Sequence, residues 1–137
     1  MEGITDLVSL AIERAEENIK TCGKWKELSP KDWYKMFCTV RLDVGRCTGK
    51  TTAIRELVET GDLVCSKFDI LRGVVVNGVI CVDRVMKLAG LNLSGVRRVL
   101  VDEPSMFFRK DVDVSLLYSI IYESTGNRDI TFIFLGK

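Results

Sequence analysis

The sequence predicts an α/β fold in which helices cover a mainly parallel β-sheet. Short apolar runs alternate along the chain with segments of helical periodicity, and this alternation is typical of strands joined by right-handed crossover helices. Two of the apolar runs end in residue types that suit phosphate and Mg²⁺ chemistry. The chain of 137 residues fits one domain with a single core.

Two helices are predicted ahead of the sheet. Residues 4–20 carry apolar side chains at spacings of three and four, with charged side chains on the other face. Ser29 and Pro30 suit a helix start, because serine can cap and proline favours the first helical position. We therefore expect residues 1–36 to form a helical segment packed on a core that occupies residues 37–137.

The first predicted strand, residues 37–44, leads into a loop suited to phosphate. Arg41 and Asp43 interrupt the strand's apolar pattern, so either they pair with each other or one face is only partly covered. Val44 stands where the usual phosphate-loop motif has its first glycine, which makes the match partial. The residues predicted to bind the phosphates are Gly45, Arg46, Cys47, Thr48, Gly49, Lys50, Thr51 and Thr52. Free backbone N–H groups beside a lysine and a hydroxyl cradle phosphates and hold Mg²⁺.

The remaining elements alternate between helix and strand. In order, we predict a helix over residues 51–59, strands over residues 63–65 and 96–102, a helix over residues 112–124 and a strand over residues 130–135. Arg97 and Arg98 form a basic pair of a kind that usually belongs to a solvated face.

Residues 74–82 allow two interpretations. Asn77 and Gly78 separate two β-branched runs, and this pattern predicts a hairpin. The alternative is a parallel strand that starts near Val79. Asp83 then has the position of a helix cap.

Asp102 and Glu103 directly follow the apolar strand of residues 96–102. Ligands of a parallel sheet bind beyond the carboxyl ends of its strands, so we expect this pair to meet the loop around Lys50. Lys50 would contact the β- and γ-phosphates, and Thr51 would ligate Mg²⁺. Asp102 would hold the same ion through water, and Glu103 would activate the attacking water.

These residues resemble the additional-strand division of the P-loop NTPases over residues 37–137. The run Asp-Glu-Pro-Ser-Met at residues 102–106 resembles the Asp-Glu-x-Ser-Met element of superfamily 1 helicases. Residues 82–88 and 133–136 are similar to further segments of the viral members. The resemblance implies a three-layer RecA-like P-loop NTPase core, with the last strand between the strands that carry Lys50 and Asp102.

The phosphate loop itself resembles that of phage terminase ATPases. Their Arg-x-x-Gly-Lys-Thr pattern matches residues 46–51, and the resemblance implies that Arg46 stabilises charge on the γ-phosphate. Lys137 stands where helicases have an acid after Gly136. No second lobe is recognisable, so the expectation is one lobe of a motor or a small protein reduced to that lobe.

Three functions are therefore considered. The first is Mg²⁺-ATP (or another NTP) binding and hydrolysis by one lobe of a viral or phage nucleic-acid motor, of helicase or packaging type. The second is a stand-alone nucleotide-dependent switch with little turnover, and the third is a small phosphotransferase. Candidate partners are the nucleotide, nucleic acid, and a second copy or a missing lobe.

The amino-acid composition excludes several classes of catalytic and metal site. Histidine is absent, which excludes a Ser-His triad and a histidine-containing zinc site. Five cysteines without a Cys-x-x-Cys spacing favour reduced thiols in the cytoplasm, the host cytoplasm if the protein is viral. We expect no signal peptide and no membrane partner, because no apolar run reaches the length of a membrane span. A net charge of +1 gives no overall attraction to nucleic acid.

Overall fold

Five parallel strands form one sheet within residues 2–22, 27–43 and 49–136, the residues that the computed structural model describes. Side chains are described from Ile4 onward. The strands are β1 (Thr39–Leu42), β2 (Asp62–Cys65), β3 (Ile80–Val82), β4 (Arg98–Asp102) and β5 (Thr131–Leu135). Their order across the sheet is β1-β5-β4-β2-β3, and every neighbouring pair is parallel. The predicted α/β class and parallel sheet are confirmed.

Helices cover both faces of this sheet. They are α1 (Glu2–Thr21), α2 (Pro30–Trp33), α3 (Lys50–Leu57), α4 (Pro104–Phe107) and α5 (Asp111–Thr125), with a π-helical segment at Tyr34–Cys38 and a 3₁₀ helix at Val85–Gly90. α1 and α3 share one hydrophobic cluster with one face, and α2, α5 and the two irregular helices share another with the opposite face. The arrangement is compatible with a three-layer core. None of the described helices combines the length and hydropathy needed to span a bilayer.

β5 contributes side chains to the hydrophobic clusters on both faces of the sheet. Phe132 and Phe134 join the cluster on one face, while Ile133 and Leu135 join the cluster on the other, as the strand period of two requires. β5 pairs with β1 on one side and with β4 on the other, which confirms the predicted position of the last strand. The carboxyl ends of β1, β5 and β4 therefore lie side by side.

β1 is an edge strand, and this explains its mixed sequence. Arg41 and Asp43 are both exposed, and the Arg41 guanidinium lies 4.8 Å from the ring centre of Phe134. The second alternative for this pair, a partly covered face, is the one observed. The predicted strand over residues 37–44 was too long, because its first two residues belong to the π-helical segment. Residue 44 lies outside the described residues.

The hairpin predicted for residues 74–82 is wrong, and the alternative of a parallel strand is confirmed. β3 begins at Ile80 and pairs with β2, with Ile80 opposite Leu63. The carbonyl of Gly78 accepts a hydrogen bond of 3.0 Å from the N–H of Gly61. The Asn-Gly turn thus docks onto the start of β2 and does not reverse the chain into a neighbouring strand.

The helix cap predicted at Asp83 is also wrong. The following helix is of the 3₁₀ type, and no side chain caps its start at Arg84. The Asp83 carboxylate instead accepts from Lys87, with an Oδ1–Nζ distance of 3.0 Å. Both side chains are about half exposed, so this pair contributes little to the stability of the fold.

Candidate functional site

The start of α3 presents one half of the site. Gly49 precedes the helix with a φ of 86°, a left-handed conformation that favours glycine. Its carbonyl accepts the first helical hydrogen bond, from Ala53 at 2.9 Å. Thr51 and Thr52 are exposed on the first turn. The other predicted binding residues, Gly45, Arg46, Cys47 and Thr48, lie outside the described residues.

Lys50 is buried, with 6% of its side chain exposed, and it forms an ion pair with Glu103. Lysine is rarely buried in proteins unless it is paired. The pair spans 53 positions of sequence and connects the start of α3 to the end of β4. The structure thus brings together two residues that the sequence placed in one site.

The backbone of Glu103 is strained. Among the described residues, it is the only non-glycine residue with a positive φ, at 50°. Its N–H donates to the carbonyl of Leu135 at 2.7 Å, which fixes this conformation against the end of β5. Strain of this kind costs about 1–3 kcal/mol and is concentrated at functional sites.

Gly136 forms the surface beneath the Glu103 carboxylate. A Cβ at Gly136 would lie 2.9 Å from the carboxyl carbon of Glu103, and the φ of Gly136 is +99°. The N–H of Gly136 donates to the carbonyl of Leu42 at 2.9 Å. The end of β5 therefore contacts the end of β1 and the residue that follows β4 through its backbone. Lys137, predicted nearby, lies outside the described residues.

Asp102 is buried with half of its carboxylate unsatisfied. Its exposure is 5%, and Oδ1 has no hydrogen-bond partner. Oδ2 accepts from the hydroxyl of Ser66 at 3.4 Å. Burial raises the pKa of Asp102, opposed by the positive charge of Lys50 and reinforced by the negative charge of Glu103. A buried carboxylate in this state destabilises the fold, and a cation at Oδ1 would relieve that cost.

The donor set fits Mg²⁺ carried by a phosphate ligand. Within residues 4–22, 27–43 and 49–136, no group of three or more His, Cys, Asp or Glu side chains is arranged to hold a metal alone. Mg²⁺ usually keeps several waters and binds proteins through one or two carboxylates together with substrate phosphates. One free oxygen of Asp102 and the exposed hydroxyl of Thr51 match that pattern, whereas a dedicated metal centre would need more ligands.

Ser66 is the residue of this edge that sequence reasoning missed. It directly follows β2, which lies next to β4, so its side chain reaches Asp102. The available signal was a polar residue immediately after an apolar strand. Its relevance depended on the strand order, which the sequence did not reveal for β2.

No protein-family model matches the chain, and comparisons with curated proteins and with solved structures also found no match. We therefore infer the function from the geometry at the carboxyl ends of the strands. The resemblance to P-loop NTPases stays a prediction.

Proposed function

We propose that the chain binds Mg²⁺-ATP, or another nucleoside triphosphate, and hydrolyses it as a RecA-like lobe of a viral or phage nucleic-acid motor. One observation carries the proposal: the buried Lys50–Glu103 pair lies beside Asp102, whose Oδ1 has no partner. A buried cation at the start of α3, together with a strained acid and an unsatisfied acid at the end of β4, matches the needs of a triphosphate, a water and a metal ion.

Each residue has a separate task in this proposal. Lys50 binds the β- and γ-phosphates as a charged donor, with the N–H groups at the start of α3 beside it. Thr51 and Asp102 would hold Mg²⁺, Asp102 through water, and the ion would offset the negative charge of the phosphates. Arg46, predicted to stabilise charge on the γ-phosphate, precedes α3 outside the described residues.

Glu103 acts on the water. The incoming phosphates compete with Glu103 for the Lys50 ammonium, and their arrival frees the carboxylate. Glu103 then accepts a proton as the water oxygen forms a bond to the γ-phosphorus. The bond between that phosphorus and the β–γ bridging oxygen breaks, which gives ADP and inorganic phosphate. In this proposal, nucleotide binding therefore breaks the Lys50–Glu103 ion pair.

Full turnover requires a second component in this proposal. An arginine supplied by a partner stabilises the transition-state charge in many enzymes of this chemistry and raises the rate by about 10³–10⁵. A second copy of the chain or another lobe would supply it, and nucleic acid is the proposed track of the motor. We expect the isolated chain to bind nucleotide and to hydrolyse it slowly.

A nucleotide-dependent switch with little turnover is the second candidate. The observation that favours it is the pairing of Glu103 with Lys50, because a carboxylate that stays bonded to the ammonium is not free to contact an attacking water. Saturable binding of Mg²⁺-ATP with no release of phosphate, also at high chain concentration and with polynucleotide added, would favour this candidate over the hydrolase.

Calorimetric titration with a non-hydrolysable ATP analogue, with and without Mg²⁺, tests the proposed site. Lys50→Ala should weaken binding by about 2–3 kcal/mol, because it removes a charge-assisted contact to phosphate. Lys31→Ala, at an exposed lysine of α2, is the matched control and should bind as the wild type does. Equal affinity of the Lys50 variant and the control would contradict the site assignment.

A further inference from the structure

Ser66 occupies a fixed position between β2 and the site. Ser66 is 1% exposed. Its backbone N–H donates to the carbonyl of Val82 at 3.0 Å, and this hydrogen bond holds the backbone against the end of β3. The Ser66 side chain faces β4, on the other side of β2, where it reaches Asp102. A buried hydroxyl with a fixed backbone has few alternative partners.

The hydrogen bonds of the Ser66 hydroxyl are directional. Its oxygen accepts from the N–H of Phe68 at 3.2 Å, and it donates to Oδ2 of Asp102 at 3.4 Å. A hydroxyl has one proton, and an ionised carboxylate can only accept. The Phe68 N–H therefore occupies one lone pair of the hydroxyl, and the proton is directed to Asp102.

The two oxygens of Asp102 are thereby distinguished. Oδ2 is engaged by Ser66, and Oδ1 has no partner. Rotation away from this orientation would break the hydrogen bond to Ser66, and a half-turn would only exchange the two equivalent oxygens. The Asp102 side chain is thus held with one oxygen available for a ligand.

We propose that Ser66 is a positioning residue for the metal, which fixes Asp102 so that Oδ1 is presented to the hydrated Mg²⁺ of the bound nucleotide. This inference rests on the proposed function. Groups that hydrogen-bond a metal-ligating side chain orient it, and their loss typically lowers metal affinity or activity by about 10–100-fold. Ser66 itself contacts neither the nucleotide nor the ion.

The experiment compares the Mg²⁺-dependent and Mg²⁺-independent parts of binding. For each full-length variant, the affinity for the non-hydrolysable ATP analogue is measured with Mg²⁺ and with a chelator. Ser66→Ala should lower the gain in affinity that Mg²⁺ brings by about tenfold or more. Its affinity without Mg²⁺ should stay within about twofold of the wild type, because Lys50 and the α3 N–H groups are unaffected.

Three further variants make the result specific. Ser66→Thr keeps the hydroxyl and should retain most of the Mg²⁺ gain. Ser66→Cys keeps the size with a weak donor, should lose the gain as the alanine variant does, and serves in its place if that variant is unfolded. Ser94→Ala is the control, because the Ser94 hydroxyl is exposed and bonds only Asn92 locally.

The outcomes separate this inference from the proposed function. An unchanged Mg²⁺ gain in Ser66→Ala, or an equal fall in affinity with and without Mg²⁺, overturns the role of Ser66 while the proposed function stands. A wild-type chain that does not bind the analogue overturns the proposed function and this inference with it.

Discussion

Two buried aspartates on neighbouring strands differ in how far their charges are satisfied. Asp62, at the amino end of β2, is 1% exposed, and Asp102, at the carboxyl end of β4, is 5% exposed. Asp62 accepts from Nε and Nη2 of Arg98 at 2.7 and 2.5 Å and from the N–H of Glu59 at 2.9 Å. Asp102 accepts one long hydrogen bond, from Ser66. Asp62 therefore supports the fold through its hydrogen bonds, whereas Asp102 keeps one oxygen without a hydrogen-bond partner.

The pKa shifts follow the same division. Burial works to lower the pKa of Arg98, but the hydrogen bonds and charge of Asp62 outweigh it, so the net shift is upward and the guanidinium stays charged. Its Nη2 also donates to the carbonyl of Leu57 at 3.0 Å. Burial raises the pKa of Asp102 as well, and there this disfavours the charged form. The charges of Arg98 and Asp62, at the amino ends of the strands, are thus stabilised by each other. At the carboxyl ends, the charge of Asp102 is poorly stabilised.

The largest expected effect comes from removing the partner of Asp62. Arg98→Met should lower the free energy of unfolding by about 3–5 kcal/mol, because the buried Asp62 carboxylate loses the cation that, among the described residues, is the only one at bonding distance. Urea denaturation measures this change. The exposed neighbour offers the control: Arg97→Met should change the same quantity by about 0.5 kcal/mol or less. Equal losses in both variants would mean that Asp62 does not depend on its pairing.

The second-largest expected effect is on the rate of nucleotide hydrolysis at the carboxyl ends of the strands. Glu103→Gln should lower the rate of phosphate release by at least about 100-fold, because an amide cannot accept the proton of the attacking water. Nucleotide affinity should be no weaker than that of the wild type, since the carboxylate that competes for Lys50 is gone. Single-turnover hydrolysis and calorimetry measure the two quantities. Loss of binding together with turnover would show that Glu103 holds the ligand and is not the base.

The smallest effect is a gain in stability. Asp102→Asn should raise the free energy of unfolding at pH 7 by about 1 kcal/mol, because it removes a buried charge with an unsatisfied oxygen. The same variant should lose the Mg²⁺-dependent part of nucleotide binding. Asp69→Asn, at an exposed carboxylate, is the control and should change neither quantity. If Asp102→Asn is less stable than the wild type and retains the Mg²⁺ effect, then Asp102 supports the fold as Asp62 does and is not a metal-binding residue.

The dependence on pH sharpens this test. Because the folded-state pKa of Asp102 is raised above 3.8, the folded chain binds more protons than the unfolded chain between the two pKa values. This residue's contribution to stability is therefore largest below that window and falls as pH rises through it. The difference between wild type and Asp102→Asn should grow over the same range, as urea denaturation at a series of pH values would measure.

The sequence predicted which segments meet at the carboxyl ends of the strands better than it predicted individual contacts. Lys50, Asp102 and Glu103 were predicted from strand ends and residue types, and the position of β5 came from the resemblance. Local patterns cannot show contacts between distant segments. The Arg98–Asp62 pair spans 36 positions, so the expectation that Arg98 lies on a solvated face is wrong, with its side chain 13% exposed. The Asn-Gly turn misled for the same reason, because its hydrogen bonds reach the start of β2.

The position of β5 inside the sheet has a consequence for the order in which the chain folds. β5 follows the other four strands in the chain, yet it lies between β1 and β4. During synthesis, the segments that carry Lys50 and Glu103 leave the ribosome before the strand that spaces them. Pairings between segments so far apart in sequence form slowly, because loop closure costs entropy before the contacts compensate for it. Under the proposed function, nucleotide binding would therefore appear only after β5 docks, and its onset would report that step.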